Sequence, residues 1–303
     1  MTEGADKDQE VEYPAIVTVV VAYGSPDLLD SALAGLRPPE GEIPFSSVVV
    51  DNSSNDDVRL VASRAGAEYI DPGRNLGFAG GVNLGIEHFK NRSCDILLLN
   101  PDAVIDYRTV KELQVRLRQS PRLACVAPAQ YDALGIDQQV VWEIPTPLLA
   151  WREAFRLSTR SCSRLYLVGS ILLLRREALD SVGVLDDSFF LYAEECDWQN
   201  RALRFGWGVR LCPDLRAMHV GAGTSTSDPD RRQILFIAGL EHYMRKWHDR
   251  LGWQSFRLAN ILGSAMRVIV PRSRSRSEAL NRLVIYVRGP RRLAARIRSV
   301  EGH

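Results

Sequence analysis

Short apolar, β-branched segments alternate with segments of helical periodicity along the first half of the 303-residue chain. Strands of this kind, apolar on both faces, are typical of a sheet that helices cover on both sides. The alternation therefore predicts an α/β fold with a mostly parallel sheet. The predicted strands are Ile16–Ala22, Ser47–Val50, Glu68–Ile70, Asp95–Leu99 and Ala124–Ala127, and the predicted helices are Pro26–Leu36, Asp56–Ala65, Ala79–Phe89 and Tyr107–Arg118.

The pattern changes in the second half of the chain. The segment Trp142–Thr159 contains Pro145 and Pro147 and has no clear periodicity, and we interpret it as a loop or flap. Ordered segments then return as a second block. They are predicted as a strand at Tyr166–Arg175, a helix at Glu194–Phe205, short strands at Val209–Cys212 and Arg216–Val220, a helix at Arg231–Arg250, and helices over residues 255–300 broken at Pro271, Gly289 and Pro290.

Charge and pattern together divide the chain into three parts. Residues 1–13 are acidic and are predicted to be a disordered tail, and residues 14–250 hold the α/β pattern. Residues 251–303 are rich in arginine and are predicted to form a basic, amphipathic helical extension. The formal net charge of +1 gives no reason to expect binding to nucleic acid.

Cysteine usage and hydropathy bear on the compartment. The five cysteines are scattered without a Cys-x-x-Cys pair, which argues against a disulfide framework or a zinc cluster and indicates a reducing compartment. The acidic N-terminus does not have the pattern of a signal peptide. No run of about 18 apolar residues is present to span a bilayer. The sequence therefore predicts a cytoplasmic protein.

Polar residues lie at the ends of three predicted strands. Tyr23 follows the first strand, Asp51 follows the second, and Asn100-Pro101-Asp102 follows the fourth. Ligands of open α/β sheets bind beyond the carboxyl ends of the strands, so these groups are candidates for one site. Two alternatives remain open: Asp51 as part of a helix cap, and Asp102 as a turn residue after Pro101.

A glycine-rich segment runs from Arg74 to Asn83 into a predicted helix. Glycine lets backbone N–H groups approach a phosphate, and the N-terminus of a helix favours an anion. The spacing matches neither the Gly-x-Gly-x-x-Gly fingerprint nor a P-loop, which argues against a dinucleotide-dependent oxidoreductase, a methyltransferase or a P-loop enzyme.

Three acids begin the helix predicted after the aromatic segment around Phe189 and Phe190. Glu194, Glu195 and Asp197 fit the preference of the first helical turn for negative charge. Paired carboxylates beside apolar residues also raise the pKa of one of them, as a general base requires. His219 ends a later strand; a lone histidine is usually structural, and a metal-binding role depends on nearby carboxylates.

In these residues the sequence resembles the family 2 glycosyltransferases over roughly residues 14–250. It is particularly similar to the bacterial rhamnosyltransferases and galactofuranosyltransferases that build cell-envelope polysaccharide. The resemblance implies a GT-A fold, residues 14–250 being the glycosyltransferase domain. It also implies inverting transfer from a nucleotide-diphosphate sugar to a glycan or lipid-linked acceptor, assisted by Mg²⁺ or Mn²⁺.

The resemblance also assigns roles to individual residues. Asp51 matches the aspartate that contacts the base or ribose of the nucleotide, and Asp102 matches the metal-binding aspartate. Glu195 matches the general base, and His219 matches a second metal ligand. The family's loop that lines the diphosphate is matched by Arg74, Asn75, Gly77, Phe78 and Asn83. The resemblance places four further residues near the donor: Tyr23, Asn100, Gly169 and Ser170. Glu194 or Asp197 would orient the acceptor or adjust the pKa of the base.

The sequence departs from the family pattern at two of these positions. Asn100 replaces the first metal carboxylate, and Glu195 stands where aspartate is commoner. A non-catalytic, membrane-associated scaffold with a relic fold is therefore one alternative function. A sugar nucleotidyltransferase is another, although it would carry a basic glycine-rich loop where this chain has Ala22-Tyr23-Gly24-Ser25.

The arginine-rich C-terminus predicts a contact with an anionic membrane surface. Apolar segments at Leu258–Val270 and Leu280–Val287 alternate with arginines, as in helices that lie in the plane of lipid headgroups. The protein is thus expected on the inner face of the cell membrane, as a peripheral protein. A helical tail that packs on the main domain and a nucleic-acid-binding patch are the alternatives. The arginines concerned are Arg272, Arg274, Arg276, Arg288, Arg291, Arg292, Arg296 and Arg298.

Overall fold

A computed structural model describes residues 13–157, 164–221, 228–269 and 276–300. Its strands are β1 (Ala15–Ala22), β2 (Ser46–Asp51), β3 (Glu68–Ile70), β4 (Cys94–Leu99), β5 (Ala103–Val104), β6 (Leu123–Tyr131), β7 (Asp137–Gln138), β8 (Val141–Glu143), β9 (Leu165–Leu167), β10 (Ile171–Leu174) and β11 (Gly208–His219). Its helices are α1 (Pro26–Gly35), α2 (Asp56–Arg64), α3 (Gly77–His88), α4 (Tyr107–Arg118), α5 (Pro147–Ala154), α6 (Arg176–Val182), α7 (Glu194–Arg204), α8 (Pro229–Ile269), α9 (Arg276–Arg288) and α10 (Pro290–Val300).

The central sheet is mixed, with the strand order β3-β2-β1-β4-β10-β6-β11-β5. The strands from β3 to β4 pair in parallel, as the alternating pattern predicts. Strand β10 runs antiparallel to both of its neighbours, β4 and β6, and β11 returns parallel to β6. All four residues of β10 are buried, and an apolar run of this kind is compatible with either direction, so the sequence could not fix it.

Alternate residues of the strands form two apolar layers. Val20 and Leu97 belong to the layer beneath α1, α2 and α4, whereas their neighbours Val19 and Ile96 belong to the layer beneath α3, α6 and α7. This two-residue period follows from the pleat of a strand. The α/β fold with helices on both faces is therefore confirmed, and the carboxyl ends of β1, β2 and β4 lie at one edge.

The interpretation of Trp142–Thr159 as a loop was wrong over its described part. Residues Val141–Glu143 form β8, which pairs with β9, and Pro147–Ala154 form α5. Pro145 and Pro147 suggested a loop, but Pro147 lies in the first turn of a helix, where a missing N–H costs nothing. The side chain of Thr146 caps this helix by accepting a hydrogen bond from the Leu149 amide.

The strand predicted at Tyr166–Arg175 is two strands in different sheets. Strand β9 ends at Leu167 and pairs with β8, and β10 begins at Ile171 in the central sheet. The connection contains Gly169 and Ser170, which the sequence assigns to the site. Gly169 and Ser170 interrupt the apolar pattern of this segment, and at this interruption the chain passes from the small sheet to the central sheet.

The C-terminal helices pack on the rest of the chain. Helix α8 contains one non-helical residue, Asp249 (φ 59°), whose carboxylate accepts hydrogen bonds from the amides of Leu251 and Gly252 and restarts the helix. After this break, Trp253 of α8 is buried together with Ile285 and Tyr286 of α9. The alternative of a packed helical tail therefore describes α9 and α10, while the domain boundary at residue 250 stays a prediction.

Some predictions concern residues that the structure does not describe. These are the acidic tail up to residue 12, Cys162, and Arg272 and Arg274 of the basic segment. In the parts of the chain that are described, no helix is both long and apolar enough to cross a bilayer.

A buried ion pair holds β4 against α4. Asp95 is fully buried, and its carboxylate accepts hydrogen bonds from the guanidinium of Arg118, from the side chain of Gln114 and from the amide of Arg176. Arg118 retains only 10 % side-chain exposure. A buried charge of this kind is strongly destabilising once its partner is removed.

We therefore expect Asp95→Asn to lower the free energy of unfolding by about 3 kcal/mol, because the buried guanidinium of Arg118 would lose Asp95 and keep only the exposed Glu177 as a charged partner. The matched control is Asp137→Asn, which breaks the exposed ion pair with Arg216 and should cost at most about 1 kcal/mol. Urea denaturation of the three proteins measures both values. Equal losses in the two variants would contradict this account of the core.

Candidate active site

A cavity of about 490 Å³ opens at the edge of the sheet where β1, β2 and β4 end. It brings together groups that lie far apart in the sequence, among them the side chains that begin α7 and end β11. Predicted site residues that line it are Tyr23, Asn75, Gly77, Phe78, Asn100, Asp102, Gly169, Ser170, Glu194, Glu195 and His219.

Four predicted site residues do not line this cavity. Arg74 is exposed outside it. The carboxylate of Asp51 accepts hydrogen bonds from the amides of Ser53 and Asn55 and from the hydroxyl of Tyr69. These contacts organise the turn before α2, which agrees with the alternative interpretation of Asp51 as part of a cap.

Asn83 and Asp197 also have other contacts. The amide side chain of Asn83 exchanges two hydrogen bonds with the backbone of Leu185 and so fastens the segment before α7 to α3. Asp197 is fully buried and binds Arg201, Lys246 and the indole N–H of Trp247, at 3.1, 2.8 and 2.9 Å. Asp197 therefore joins α7 to α8.

The glycine-rich segment is held against the segment that leads into α7. Gly77 begins α3 with φ 73°, and a Cβ atom there would lie 2.2 Å from the carbonyl oxygen of Phe190. The amide of Phe78 donates a hydrogen bond to the same oxygen at 2.9 Å. Asn52 completes the turn, because its side chain donates to the carbonyl of Gly77 and accepts from the amide of Leu76.

Two later glycines of this segment have a different function. Added Cβ atoms at Gly81 and Gly85 would lie 2.7 and 2.4 Å from the side chains of Val21 and Val19. These glycines therefore let α3 pack closely on β1. They are part of the helix–strand contact and not of a phosphate-binding loop.

Glu194 and Glu195 are the first two residues of α7; Glu194 is buried, and Glu195 is half-buried in the wall of the cavity. Burial raises the pKa of the Glu194 carboxyl well above its usual range, and the adjacent charge of Glu195 raises it further. Burial also raises the pKa of Glu195, while backbone amides, including that of Gly169, act in the opposite direction. The site can therefore hold a proton on one carboxyl group beside a carboxylate that accepts one.

A possible metal-binding pair lies across the cavity. His219 Nε2 is 3.5 Å from Asp102 Oδ1, and both side chains are largely buried. Gln138 donates a hydrogen bond to the carbonyl of His219 through Nε2, which directs its Oε1 to within 3.1 Å of His219 Nδ1. This arrangement puts the proton on Nδ1 and the lone pair of Nε2 toward Asp102.

The carboxylate of this pair is a ligand that Mg²⁺ and Mn²⁺ prefer, and the imidazole adds a nitrogen ligand that suits a transition metal such as Mn²⁺. Within the described residues, no group of three or more histidine, cysteine, aspartate or glutamate side chains is placed to hold a metal ion. Two protein ligands leave most coordination positions to water or to phosphate oxygens of a ligand, which is the usual way in which Mg²⁺ is bound.

Sequence reasoning missed several residues of the cavity. Asn52 adjoins the predicted Asp51, so the strand end itself was a usable signal. Gln138 lies on a two-residue strand, and Arg231 and Arg232 begin α8, so no local pattern marks any of the three. Both arginines line the cavity, and their positive charge makes them candidates for contact with phosphate.

The family model described as Glycosyl transferase family 2 matches residues 18–183. Among curated proteins, the chain is 30 % identical over 216 residues to the galactofuranosyltransferase GlfT1 of Mycobacterium tuberculosis, covering 68 % of this chain and 70 % of that protein. It is 25 % identical over 270 residues to the N-acetylglucosaminyl-diphospho-decaprenol L-rhamnosyltransferase of the same organism, covering 78 % and 87 %.

A third relative is the low-salt glycan biosynthesis hexosyltransferase Agl10 of Haloferax volcanii, which is 32 % identical over 184 residues. That match covers 57 % of this chain and 58 % of Agl10, less than two thirds of its length.

The fold is also that of the mannosyltransferase PcManGT from Pyrobaculum calidifontis, solved in complex with GDP-Man and Mn²⁺. The TM-score is 0.59 at 13 % identity, over 94 % of this chain and 84 % of that one. The expectation of a GT-A fold is thereby confirmed.

The buried glutamate pair predicts an unusual pH dependence of stability. An exposed glutamate in the unfolded chain titrates near about pH 4.3. Because the folded-state pKa of Glu194 is higher, wild-type stability should fall as pH rises from that value through the folded pKa. In Glu194→Gln this loss is absent, so the variant should gain stability relative to the wild type over that range.

The measurement is urea denaturation over a pH series. The readout is how the difference in free energy of unfolding between Glu194→Gln and the wild type changes with pH. Any destabilisation that the new amide causes by itself is independent of pH and does not affect this change. Glu112→Gln, which removes an exposed carboxylate of α4, is the matched control. Parallel curves for Glu194→Gln and wild type would contradict the burial argument.

Proposed function

Because the chain belongs to glycosyl transferase family 2, we propose that it is a metal-dependent, inverting enzyme of cell-envelope polysaccharide synthesis. It transfers rhamnose or galactofuranose from a nucleotide-diphosphate sugar to a glycan or lipid-linked acceptor. The activities of the two mycobacterial relatives support these two sugars, and the acceptor of the rhamnosyltransferase, N-acetylglucosaminyl-diphospho-decaprenol, supports a lipid-linked acceptor. The observation that carries the proposal is the single cavity that holds both the buried glutamate pair and the pair Asp102 and His219.

The donor lies along the edge of the sheet. Its nucleotide contacts Tyr23 and Asn52 at the ends of β1 and β2, and its sugar lies near Gly169 and Ser170. Asp51 acts indirectly, since it shapes the turn that carries Asn52. The diphosphate lies between Asn100, the turn at Asn75–Phe78 and the two arginines that begin α8, whose positive charge complements it.

Asp102 and His219 would hold the metal ion, with Gln138 fixing the tautomer of the imidazole. When bound, Mg²⁺ or Mn²⁺ neutralises negative charge on the departing diphosphate. PcManGT, which shares the fold, was solved with GDP-Man and Mn²⁺, and this supports a divalent metal ion in the reaction. Asn100 contributes a neutral oxygen where a second carboxylate would add charge, so Asp102 supplies the ionic part of the binding.

Glu195 is the general base. Its carboxylate takes the proton of the acceptor hydroxyl as that oxygen attacks the anomeric carbon, and the bond to the diphosphate oxygen breaks on the opposite face. One displacement of this kind inverts the configuration. The raised pKa of Glu194 favours its protonated form, which limits the repulsion that a second charge would exert on Glu195.

We expect Glu195→Gln to lower the rate constant of transfer by about 10²–10⁴-fold, because the amide cannot accept the proton. The affinity for the nucleotide, measured by calorimetry, should stay unchanged because Glu195 does not contact the donor. Transfer is measured with dTDP-rhamnose, UDP-galactofuranose and UDP-hexoses, and Glu112→Gln is the control. A Glu195→Gln rate above about a tenth of the wild type would show that Glu195 is not the base.

The same assay tests the alternative functions. A relic scaffold would release no sugar from any donor, with or without Mn²⁺, and a nucleotidyltransferase would form the nucleotide sugar from a sugar phosphate. The glutamate pair favours the transferase over the scaffold, because carboxyl groups with raised pKa values that line a cavity are typical of a catalytic site, and a protein that only binds does not need them.

The enzyme meets its lipid-linked acceptor at the inner face of the cell membrane, as a peripheral protein. Arg288, Arg291 and Arg292 are exposed around the junction of α9 and α10 and suit contact with anionic headgroups. The apolar side chains Ile285 and Tyr286 are buried against α8, so α9 contacts the membrane through charge and not by inserting these residues.

We expect the substitution of Arg288, Arg291 and Arg292 by glutamine to weaken binding to anionic liposomes by roughly two orders of magnitude, at about 1 kcal/mol for each arginine. The control is the substitution of Arg37, Arg108 and Lys111 by glutamine, which removes the same charge from exposed residues outside α9 and α10. Co-sedimentation at low and high salt is the measurement. Equal binding by both triple variants would contradict the assignment.

A further inference from the structure

A second cavity adjoins the candidate active site, and its lining has the chemistry of a sugar-binding surface. We propose that it is the subsite for a sugar ring of the acceptor, next to the ring that receives the transferred sugar. This inference rests on the proposed function, since it names where the acceptor of that reaction is held.

The second cavity has a volume of about 530 Å³ and lies between α8 and α9. It shares two residues with the candidate active site, Tyr192 and Arg232. A ligand that extends past Tyr192 therefore reaches both spaces. The shared residues make the second cavity a continuation of the first on the side of the segment that leads into α7.

An aromatic pair forms one wall of this space. The rings of Tyr192 and Phe236 meet edge to face, with centroids 5.8 Å apart and planes at 75°. Phe236 is 41 % exposed, although it lies in a helix that buries its neighbours Leu235 and Ile237. An exposed ring beside a cavity offers a flat apolar surface, which suits the C–H face of a sugar.

Amide and carboxylate groups form the opposite edge. The side chain of Asn281, on α9, donates hydrogen bonds of 2.7 Å to Asp230 and to Gln233 on α8. These groups hold one another in place and keep further acceptor lone pairs for hydroxyl donors. The aromatic wall and the polar edge together suit a neutral sugar, which has both an apolar C–H face and hydroxyl groups. A purely apolar ligand would match only the aromatic wall, and a purely cationic ligand only the polar edge.

The backbone at Tyr192 is held in an uncommon conformation. Tyr192 and Ala193 both have positive φ, 69° and 72°, directly before the glutamates of α7. Gly239 of α8 packs against this turn, and a Cβ atom there would lie 2.4 Å from the carbonyl oxygen of Tyr192. Left-handed non-glycine residues of this kind persist where the surrounding structure fixes them, and they cluster at functional sites. The turn thus places Tyr192 between the two cavities.

The inference assigns a role in substrate recognition to α9, which belongs to the basic C-terminal extension. It also separates two functions of that extension: Asn281 faces the acceptor, and the arginines at the junction of α9 and α10 face the membrane.

The test uses Phe236→Ala, with Phe205→Ala as matched control, because Phe205 is also an exposed phenylalanine but lies at the end of α7 outside both cavities. Saturation-transfer NMR with octyl glycosides of disaccharides that contain N-acetylglucosamine or galactose, in the presence of UDP and diamagnetic Mg²⁺, reports which protons of which ring contact the protein. We expect saturation of the C–H protons of both rings in the wild type and in Phe205→Ala, and its loss from the ring that does not receive the transferred sugar in Phe236→Ala.

In transfer assays the KM for the glycoside should rise on the order of tenfold in Phe236→Ala and return in Phe236→Tyr. Release of sugar from the donor to water should be equal in all variants. Equal saturation in Phe236→Ala and Phe205→Ala, or none in the wild type, would overturn the subsite. Failure of the wild type to release sugar from any donor would instead overturn the proposed function, so the two failures are distinguishable.

Discussion

The contact between Gly77 and the carbonyl of Phe190 is the constraint on which the candidate site depends. It joins the turn that begins α3 to the segment that leads into α7, and no side chain fits at position 77. The hydrogen bond from the Phe78 amide to the same oxygen fixes the direction of that carbonyl. As a result, the donor side of the cavity and the carboxylates of Glu194 and Glu195 form one rigid arrangement. The close packing of Gly81 and Gly85 on β1 extends this rigidity to the centre of the sheet.

Stability and chemistry oppose each other at the start of α7. Burying two adjacent carboxyl groups is unfavourable, and burial raises the pKa of both. The location of the two glutamates at the start of a helix partly offsets this cost, because the N-terminus of a helix favours negative charge. Hydrogen bonds from nearby backbone amides also lower the pKa of Glu195. Asp197 stabilises the same helix from its other side through Arg201, Lys246 and Trp247. Asp197 thus fixes the helix to α8, while Glu194 and Glu195 line the cavity, and the spacing of the three acids in the sequence does not show this difference.

The sequence was informative where the signal is local. The apolar strands, the strand ends with Tyr23 and Asp102, the glycine-rich turn and the paired glutamates all follow from short-range patterns, and the family resemblance placed them in one fold. The features that could not be predicted from the sequence depend on long-range packing. Pro147 was misread because a helix start and a loop share the same residue, and the direction of β10 is set by its connections. Gln138, Arg232 and Phe236 reach their cavities through tertiary contacts alone, and Asn83 and Asp197 carry polar side chains whose partners lie elsewhere in the chain.

The central claim is that one cavity places a nucleotide sugar between the pair Asp102 and His219 and the carboxylate of Glu195. A crystal structure of the Glu195→Gln variant with Mn²⁺ and a bound nucleotide sugar, analysed by anomalous scattering of manganese, tests it most directly. The account predicts a manganese peak within coordination distance of Asp102 and His219 Nε2, bridged to the diphosphate, with the side chain of residue 195 on the opposite face of the sugar. A manganese ion or a diphosphate located away from Asp102 and His219 would contradict it.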